Sequence, residues 1–172
     1  MFRIAPETIH DAAEVEMLFD LAFAPGRTAL SSYRLREGVA SLAHLNRVVR
    51  DEYDAVAAAV RFWPVRVGTA EVLLLGPIAV HPTRQGEGVG AMLMSESLSG
   101  AAGDGWGAVL LVGDLPYYRR FGFERVPVVF PPPTNPERVF GAALAPQGLE
   151  GLCGVVRRWD ARDVTRRAEE RE

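Results

Sequence analysis

The chain has 172 residues, 48% hydrophobic and 24% charged, enough for one domain that buries about two thirds of its unfolded surface. All 19 basic residues are arginine, which excludes a lysine nucleophile, a Schiff base and a phosphate-loop lysine, and the single cysteine, Cys153, excludes an internal disulfide and a cysteine-rich zinc site. A net charge of −3 with acids between the arginines gives no basic stripe for nucleic acid; no apolar run nears the ~20 residues of a membrane span, and the opening MFRIAPETIHDAAE has acids where a signal peptide is apolar, so a cytoplasmic location is expected.

Arg3-Ile4 is expected to open a short edge strand. Asp11 and Glu14 have capping-box spacing, and Val15, Leu18, Phe19 and Ala22 recur on one face of the helix that follows. Pro25-Gly26 ends that helix, and a weaker helical segment is expected from Leu30 to Val39. From Leu45 the period changes. Leu45–Arg50 and Ala55–Phe62 read as a hairpin around the acidic turn Asp51-Glu52-Tyr53-Asp54, and Pro64 and Gly68 interrupt the chain before the next strand.

That strand, Glu71–Val80, is apolar almost throughout, as a central strand covered on both faces would be. Gly76-Pro77 inside it predicts a bulge, because proline cannot donate to a ladder. Next come the turn Arg84-Gln85-Gly86-Glu87-Gly88-Val89-Gly90 and a helix to about Ala102, whose face is read as Val89, Met92, Leu93, Glu96 and Ser97. Ala108–Val112 is another strand and Tyr117–Phe121 a short helix closed by Gly122. A strand through Phe123–Phe130, a stiff proline loop at 131–136 and closing strands at Phe140–Leu144 and Cys153–Trp159 follow. Residues 160–172 form a charged tail.

The strand–turn–helix unit is the most informative segment. Three glycines at alternate positions leave backbone amides bare, and the helix behind them begins with unpaired N–H groups and the positive end of its dipole, a setting suited to pyrophosphate. Taken alone, the glycines also fit a tight turn that binds nothing. A phosphate loop needs the missing lysine, and a dinucleotide fold needs its glycine motif after an early strand with an acid about 20 residues on. Here the motif is mid-chain with GxGxG spacing, and neither site fits.

The segment LLLGPIAVHPTRQGEGVGAMLM resembles the acyl-coenzyme-A-binding core of the GNAT superfamily of N-acetyltransferases. Its Gln/Arg-x-x-Gly-x-Gly/Ala pattern falls on Gln85, Gly88 and Gly90. GDLPYYRRFGFE is similar to the segment where that family places a tyrosine beside the thioester, and with it the chain resembles a bacterial branch carrying a YYxRFGF-type motif. The resemblance covers residues 1–159 and implies a single α/β (α+β) domain, a mixed, splayed β-sheet flanked by helices. It implies acetyl-CoA as cosubstrate, with pantetheine along the backbone of Ile78, Ala79 and Val80. The pyrophosphate would lie on Gln85, Gly86, Glu87, Gly88, Val89 and Gly90, with Arg84 offering a charge-assisted bond.

By the family pattern Tyr118 donates a hydrogen bond or proton to the departing sulfur, while Tyr117 packs or lines the pocket. The general base is less determined by the sequence: Glu71 is the leading candidate, with Asp51, Glu52 and Asp54 as alternatives, and a solvated amine can lose its proton with no dedicated base. His10, His44 and His81 lack metal-ligand spacing, so no metal is expected, and Cys153 reads as a small buried hydrophobe. The expected partner is a small amine acceptor, mildly favoured to be cationic by the acids of the hairpin turn, with no nucleic acid or membrane and a monomer or homodimer. The alternative reading is a CoA-binding sensor or interaction module that keeps the fold without turnover.

Overall fold

A computed structural model describes residues 1–23 and 31–160; the expected stop at Pro25-Gly26 and the tail from residue 161 lie outside the described residues. Strands β1 (Arg3–Pro6), β2 (Arg47–Arg50), β3 (Val56–Val67) and β4 (Ala70–Val80) pair antiparallel in chain order. On the far side of β4, β5 (Ala108–Val112) is parallel to it. The antiparallel strands β8 (Val139–Ala143) and β6 (Glu124–Arg125) complete the row. A last strand, β9 (Gly154–Arg158), pairs with the end of β3 and with the two-residue β7 (Val128–Val129). The result is the mixed α/β sheet anticipated from the sequence.

Side-chain alternation gives the sheet two apolar faces, each covered by a helix. Ala58, Val60, Phe62, Leu73 and Leu75 meet Leu93 and Met94 of α3 (Val89–Gly103). On the other face Val48, Val56, Ala59 and Ala79 meet Val15, Leu18 and Phe19 of α1 (Ala12–Phe23). Each of the larger side chains contributes about 1.5–3 kcal/mol by leaving water. These layers fix β4 in the centre and bring the N-terminus of α3 to its far end.

Several boundaries differ from the sequence reading. The α1 cap is displaced by one turn: Asp11 accepts from the Thr8 N–H at 2.7 Å and the Thr8 hydroxyl at 2.8 Å, while Glu14 turns to the Val56 N–H at 2.8 Å. Within the expected Leu30–Val39 segment the regular helix is α2 (Ser31–Arg34), followed by turns to Gly38; Leu30 lies outside the described residues. Leu45 belongs to a turn, its N–H bonded to Leu42 at 2.8 Å, and the strand starts at Arg47.

Pro64 does not interrupt β3. The Phe62 N–H bonds to Asn46 Oδ1 and its carbonyl accepts from Leu42, both on the edge away from β4. Pro64, two residues on, therefore aims its hydrogen-free nitrogen to that same edge and costs the β3–β4 ladder nothing. Pro127 does interrupt. The expected Phe123–Phe130 strand breaks there into β6, paired with β8, and β7, paired with β9. On α3 the buried face is Val89, Leu93, Met94, Ser97 and Ala101, with Met92 and Glu96 turned outward.

Candidate active site

The Gly76-Pro77 irregularity is a bulge, as expected: between the pairs Phe62↔Leu75 and Val60↔Ile78, β4 carries two residues against the single Arg61 of β3. On its other edge β4 pairs with β5 only at Leu73 and Leu74. From Leu75 to Val80 no strand among the described residues pairs with that edge. The His81 N–H bonds to the Ala57 carbonyl at 2.7 Å, so by antiparallel alternation the Ala79 peptide groups face β3 while those of Ile78 and Val80 face the opening. The splay thus leaves two unpaired backbone rungs beside a cleft.

That cleft holds about 530 Å³ and brings together Ile78, Ala79, Val80, Arg84, Gln85, Gly86, Gly88, Val89, Gly90 and Tyr118. Tyr117, Arg120 and Ala91 complete its walls. Gly88 caps α3 at φ +79° with no side-chain bond to the free N–H groups of the first turn. Gly86 is also left-handed, at φ +84°, a conformation that favours glycine. At Gly90 the constraint is contact instead: a Cβ would stand 2.9 Å from the Tyr117 hydroxyl and 3.2 Å from Val80 Cγ2. Bare amides, a helix dipole and the open rungs of β4 form a cradle that fits a pyrophosphate followed by an amide-bearing arm.

Glu87 is exposed at the rim, 3.8 Å from Arg84, and does not line the cleft. Arg84 does line it, but its guanidinium already bonds Asp51 Oδ2 at 2.7 Å and Glu52 Oε1 at 3.1 Å. Those bonds, to Asp51 first, raise its pKa further. Desolvation alone would raise the Asp51 carboxyl; the bonds from Arg84 and from the N–H groups of Ala55 and Tyr53 outweigh it and hold Asp51 below its ordinary value. Glu52 is held low too, first by its own N–H. Asp54 pairs with Arg3 at 2.6 Å. Asp51 and Glu52 thus brace the glycine turn through Arg84, and none of the three hairpin acids lines the cleft.

Arg120 belongs to the motif quoted from the sequence but receives no role there. It lies over the Tyr117 ring, 4.4 Å from the ring centroid, and among the described residues no carboxylate pairs with it. Its sequence signal is its place as the fixed arginine of the YYxRFGF-type motif, two positions after the paired tyrosines.

Tyr118 ends α4 (Leu115–Tyr118), where its ring packs edge-on to Tyr117 and Phe123 and lies against Gly113. Burial first, then the neighbouring Tyr117 and Asp114, pushes its hydroxyl up to about 12. It is a firm hydrogen-bond donor at neutral pH. Tyr118 and Ile78 also line a second cavity, of about 490 Å³, walled by α2 and its following turn, the β4 bulge, the end of β5 and the proline loop. One tyrosine and one open rung therefore form the partition between two cavities.

The structure does not bring Glu71 to this site. It stands seven residues before Ile78, about 23 Å along the strand, bonded to Arg66 at 2.9 Å. Cys153 lines the same distant recess, and it is exposed, not buried. His81 caps the short turn Pro82–Arg84 by accepting from the Thr83 N–H. Among the described residues, no carboxylate lines either cavity, and no helix is long and apolar enough to cross a membrane.

Comparison with known proteins accords with this geometry. A family model described as an acetyltransferase (GNAT) domain matches residues 44–125. An uncharacterized N-acetyltransferase of Escherichia coli K12, YhbS, is 32% identical over 116 residues, covering 66% of this chain and 68% of that protein. The crystal structure of E. coli YhbS in complex with CoA has a TM-score of 0.75 at 28% identity, over 92% of this chain and 89% of the other. A GNAT family acetyltransferase from Brucella melitensis in complex with acetyl-CoA has a TM-score of 0.69 at 29% identity, over 94% and 97%.

Proposed function

The chain belongs to the GNAT acetyltransferases, and from that premise we propose that it transfers the acetyl group of acetyl-CoA directly to the primary amine of a small acceptor. The observation that carries this reading is the shared partition: Tyr118 and Ile78 face both the glycine-turn cleft and the second cavity. A thioester in one and an amine in the other would meet at that wall.

Acetyl-CoA supplies the activated acyl group. The amides from Gln85 to Gly90 receive the pyrophosphate with Arg120 adding charge, and the Val80 peptide group and the Ile78 carbonyl pair with the pantetheine amides. A neutral amine attacks the carbonyl carbon; the C–N bond forms, the C–S bond breaks, the amine proton passes to water and the sulfur leaves as thiolate. The carbonyl oxygen takes the Ile78 N–H, the open rung at the partition. Tyr118, with its hydroxyl at about 12, is a weaker acid than a thiol near 8.5, so full proton transfer to the sulfur is uphill. Its role is a hydrogen bond that stabilises the departing thiolate, which is then protonated by solvent.

Calorimetry with acetyl-CoA, competed by CoA, tests the first half, and thiol release across an amine panel tests the second. Absence of binding at high micromolar concentration sinks the reading. Binding without any turnover identifies a sensor or interaction module instead.

A further inference from the structure

We propose that the second cavity selects an amine that carries a carboxylate, an amino-acid-like acceptor, and disfavours polyamines. The inference rests on the acetyl-transfer reading above and names the acceptor class for it. Two arginines enter the cavity, Arg36 from the turn after α2 and Arg138 from the turn before β8, and among the described residues no Asp or Glu lines it.

Arg36 is 8% exposed. Its guanidinium stacks on Tyr33, 4.2 Å from the ring centroid, and lies 5.9 Å from that of Trp63. One Nη reaches within 3.2 Å of where a Cβ on Gly76 would stand, two residues before Ile78. Gly76 thus keeps the bulge clear, so that a fixed cation can sit beside the partition. Arg138 is more open: its guanidinium is 3.5 Å from the solvent-exposed Asp114, an ion pair that water screens. It can turn to a ligand at little loss.

A planar guanidinium held by aromatic faces receives a carboxylate with two parallel bonds, and does so most strongly where water is excluded. A polyamine entering the same cavity would set its charges against two guanidinium groups, with no carboxylate among the described lining residues to receive them. The remaining lining, including Leu74, Leu75, Leu111 and Val112, suits an apolar side chain on the acceptor. The cation beside the partition also disfavours the ammonium form of the incoming amine.

The test uses the full chain with saturating acetyl-CoA, the L-amino acids each matched with its amide, and spermidine. Thiol release is expected to give the best amino acid a kcat/KM about 10-fold or more above its amide, with spermidine lowest. An amide or spermidine equal to or faster than the acid overturns the proposal. Arg138→Gln should shrink the acid-to-amide ratio about 10-fold through KM while acetyl-CoA affinity stays within about two-fold. Arg36→Gln should do the same if its melt shows it folded. An unchanged ratio in folded Arg138→Gln overturns the proposal even if Arg36→Gln fails to fold. If nothing is acetylated, calorimetry of amino acid against amide on the CoA-loaded protein decides: preferential binding of the acid supports the anion-selecting cavity while the transfer reading falls, and binding of neither sinks the proposal.

Discussion

Replacing Tyr118 by Phe removes one hydroxyl and leaves a ring of the same shape. That ring holds its place through edge contacts at 5.0 Å to Tyr117 and 5.9 Å to Phe123. No described residue hydrogen-bonds the hydroxyl, so its loss strands no buried partner, and stability at pH 7 should change by less than about 1 kcal/mol. A hydrogen bond to a developing thiolate is worth about 1.5–3 kcal/mol, so kcat should fall roughly 10- to 100-fold with little change in acetyl-CoA affinity. Steady-state thiol release and calorimetry on the two proteins measure both quantities. Alkaline stability gives an independent check. The folded hydroxyl sits near 12 against an ordinary 10.0, so above pH 10 the unfolded chain ionises while the folded one does not. The stability held below pH 10 is therefore lost between pH 10 and 12, by roughly 3 kcal/mol, and the Tyr118→Phe variant should lack that slope. Full turnover in the variant refutes the assignment. A loss far beyond about 100-fold, with acetyl-CoA binding intact, would mean complete proton donation and refute the hydrogen-bond account.

Gly88→Asp places a carboxylate at a left-handed position facing the proposed phosphate, and acetyl-CoA binding should disappear; unchanged affinity in a folded variant would move the phosphate site elsewhere. Gly90→Val meets the Tyr117 hydroxyl and Val80, and at least about a 10-fold loss of acetyl-CoA affinity is expected by calorimetry, since one misplaced contact in a fitted site costs that much. Asp51 is held below its ordinary carboxyl value, so its stabilising effect is complete above about pH 4 and is lost as pH falls through the folded value. Asp51→Asn should flatten that acid limb in denaturation midpoints taken from pH 5 to 2, and a limb identical to wild type would show that the Arg84 brace contributes nothing. Cys153→Ala should retain turnover, because the thiol lies with Glu71 in the distant recess; a folded but inactive variant would reinstate a covalent acyl-enzyme.

The apolar run of β4, the Gly76-Pro77 bulge and the glycine turn were legible because each is a local consequence of residue type. What escaped was decided by partners far apart in sequence. Pro64 signals a break to any local reading, and its harmlessness follows only from the outward peptide of Phe62, set by Asn46 and Leu42. Pro127 carries the same chemistry and does break a strand, because there the chain changes partner from β8 to β9. Glu71 begins the same strand that carries the site, yet strand length alone separates the two. The hairpin acids lie near the cleft as the order of strands suggests, but Arg84 draws them onto the glycine turn. Arg36 has no motif. Its relevance comes from a bulge forty residues later that leaves room for its guanidinium.

Those two outcomes together shape the charge around the two cavities. Arg84 is held by Asp51 and Glu52 at the glycine turn, and the groups proposed above to meet a phosphate are the bare amides, the α3 dipole and Arg120. The second cavity receives arginines and no acid from the described residues, so both sides of the partition favour anionic groups while the wall itself, Ile78 and Tyr118, is neutral. On the acceptor proposal above, the guanidinium groups of Arg36 and Arg138 would press an approaching amine toward its uncharged, nucleophilic form. The absence of lysine then has a consequence for this chemistry. A chain with 19 arginines and no lysine has no side-chain amine of its own to compete for the acetyl group, since guanidinium stays protonated and is a poor nucleophile. Thiol release without an added acceptor therefore carries no contribution from lysine acetylation, and the difference on adding an amine reports transfer.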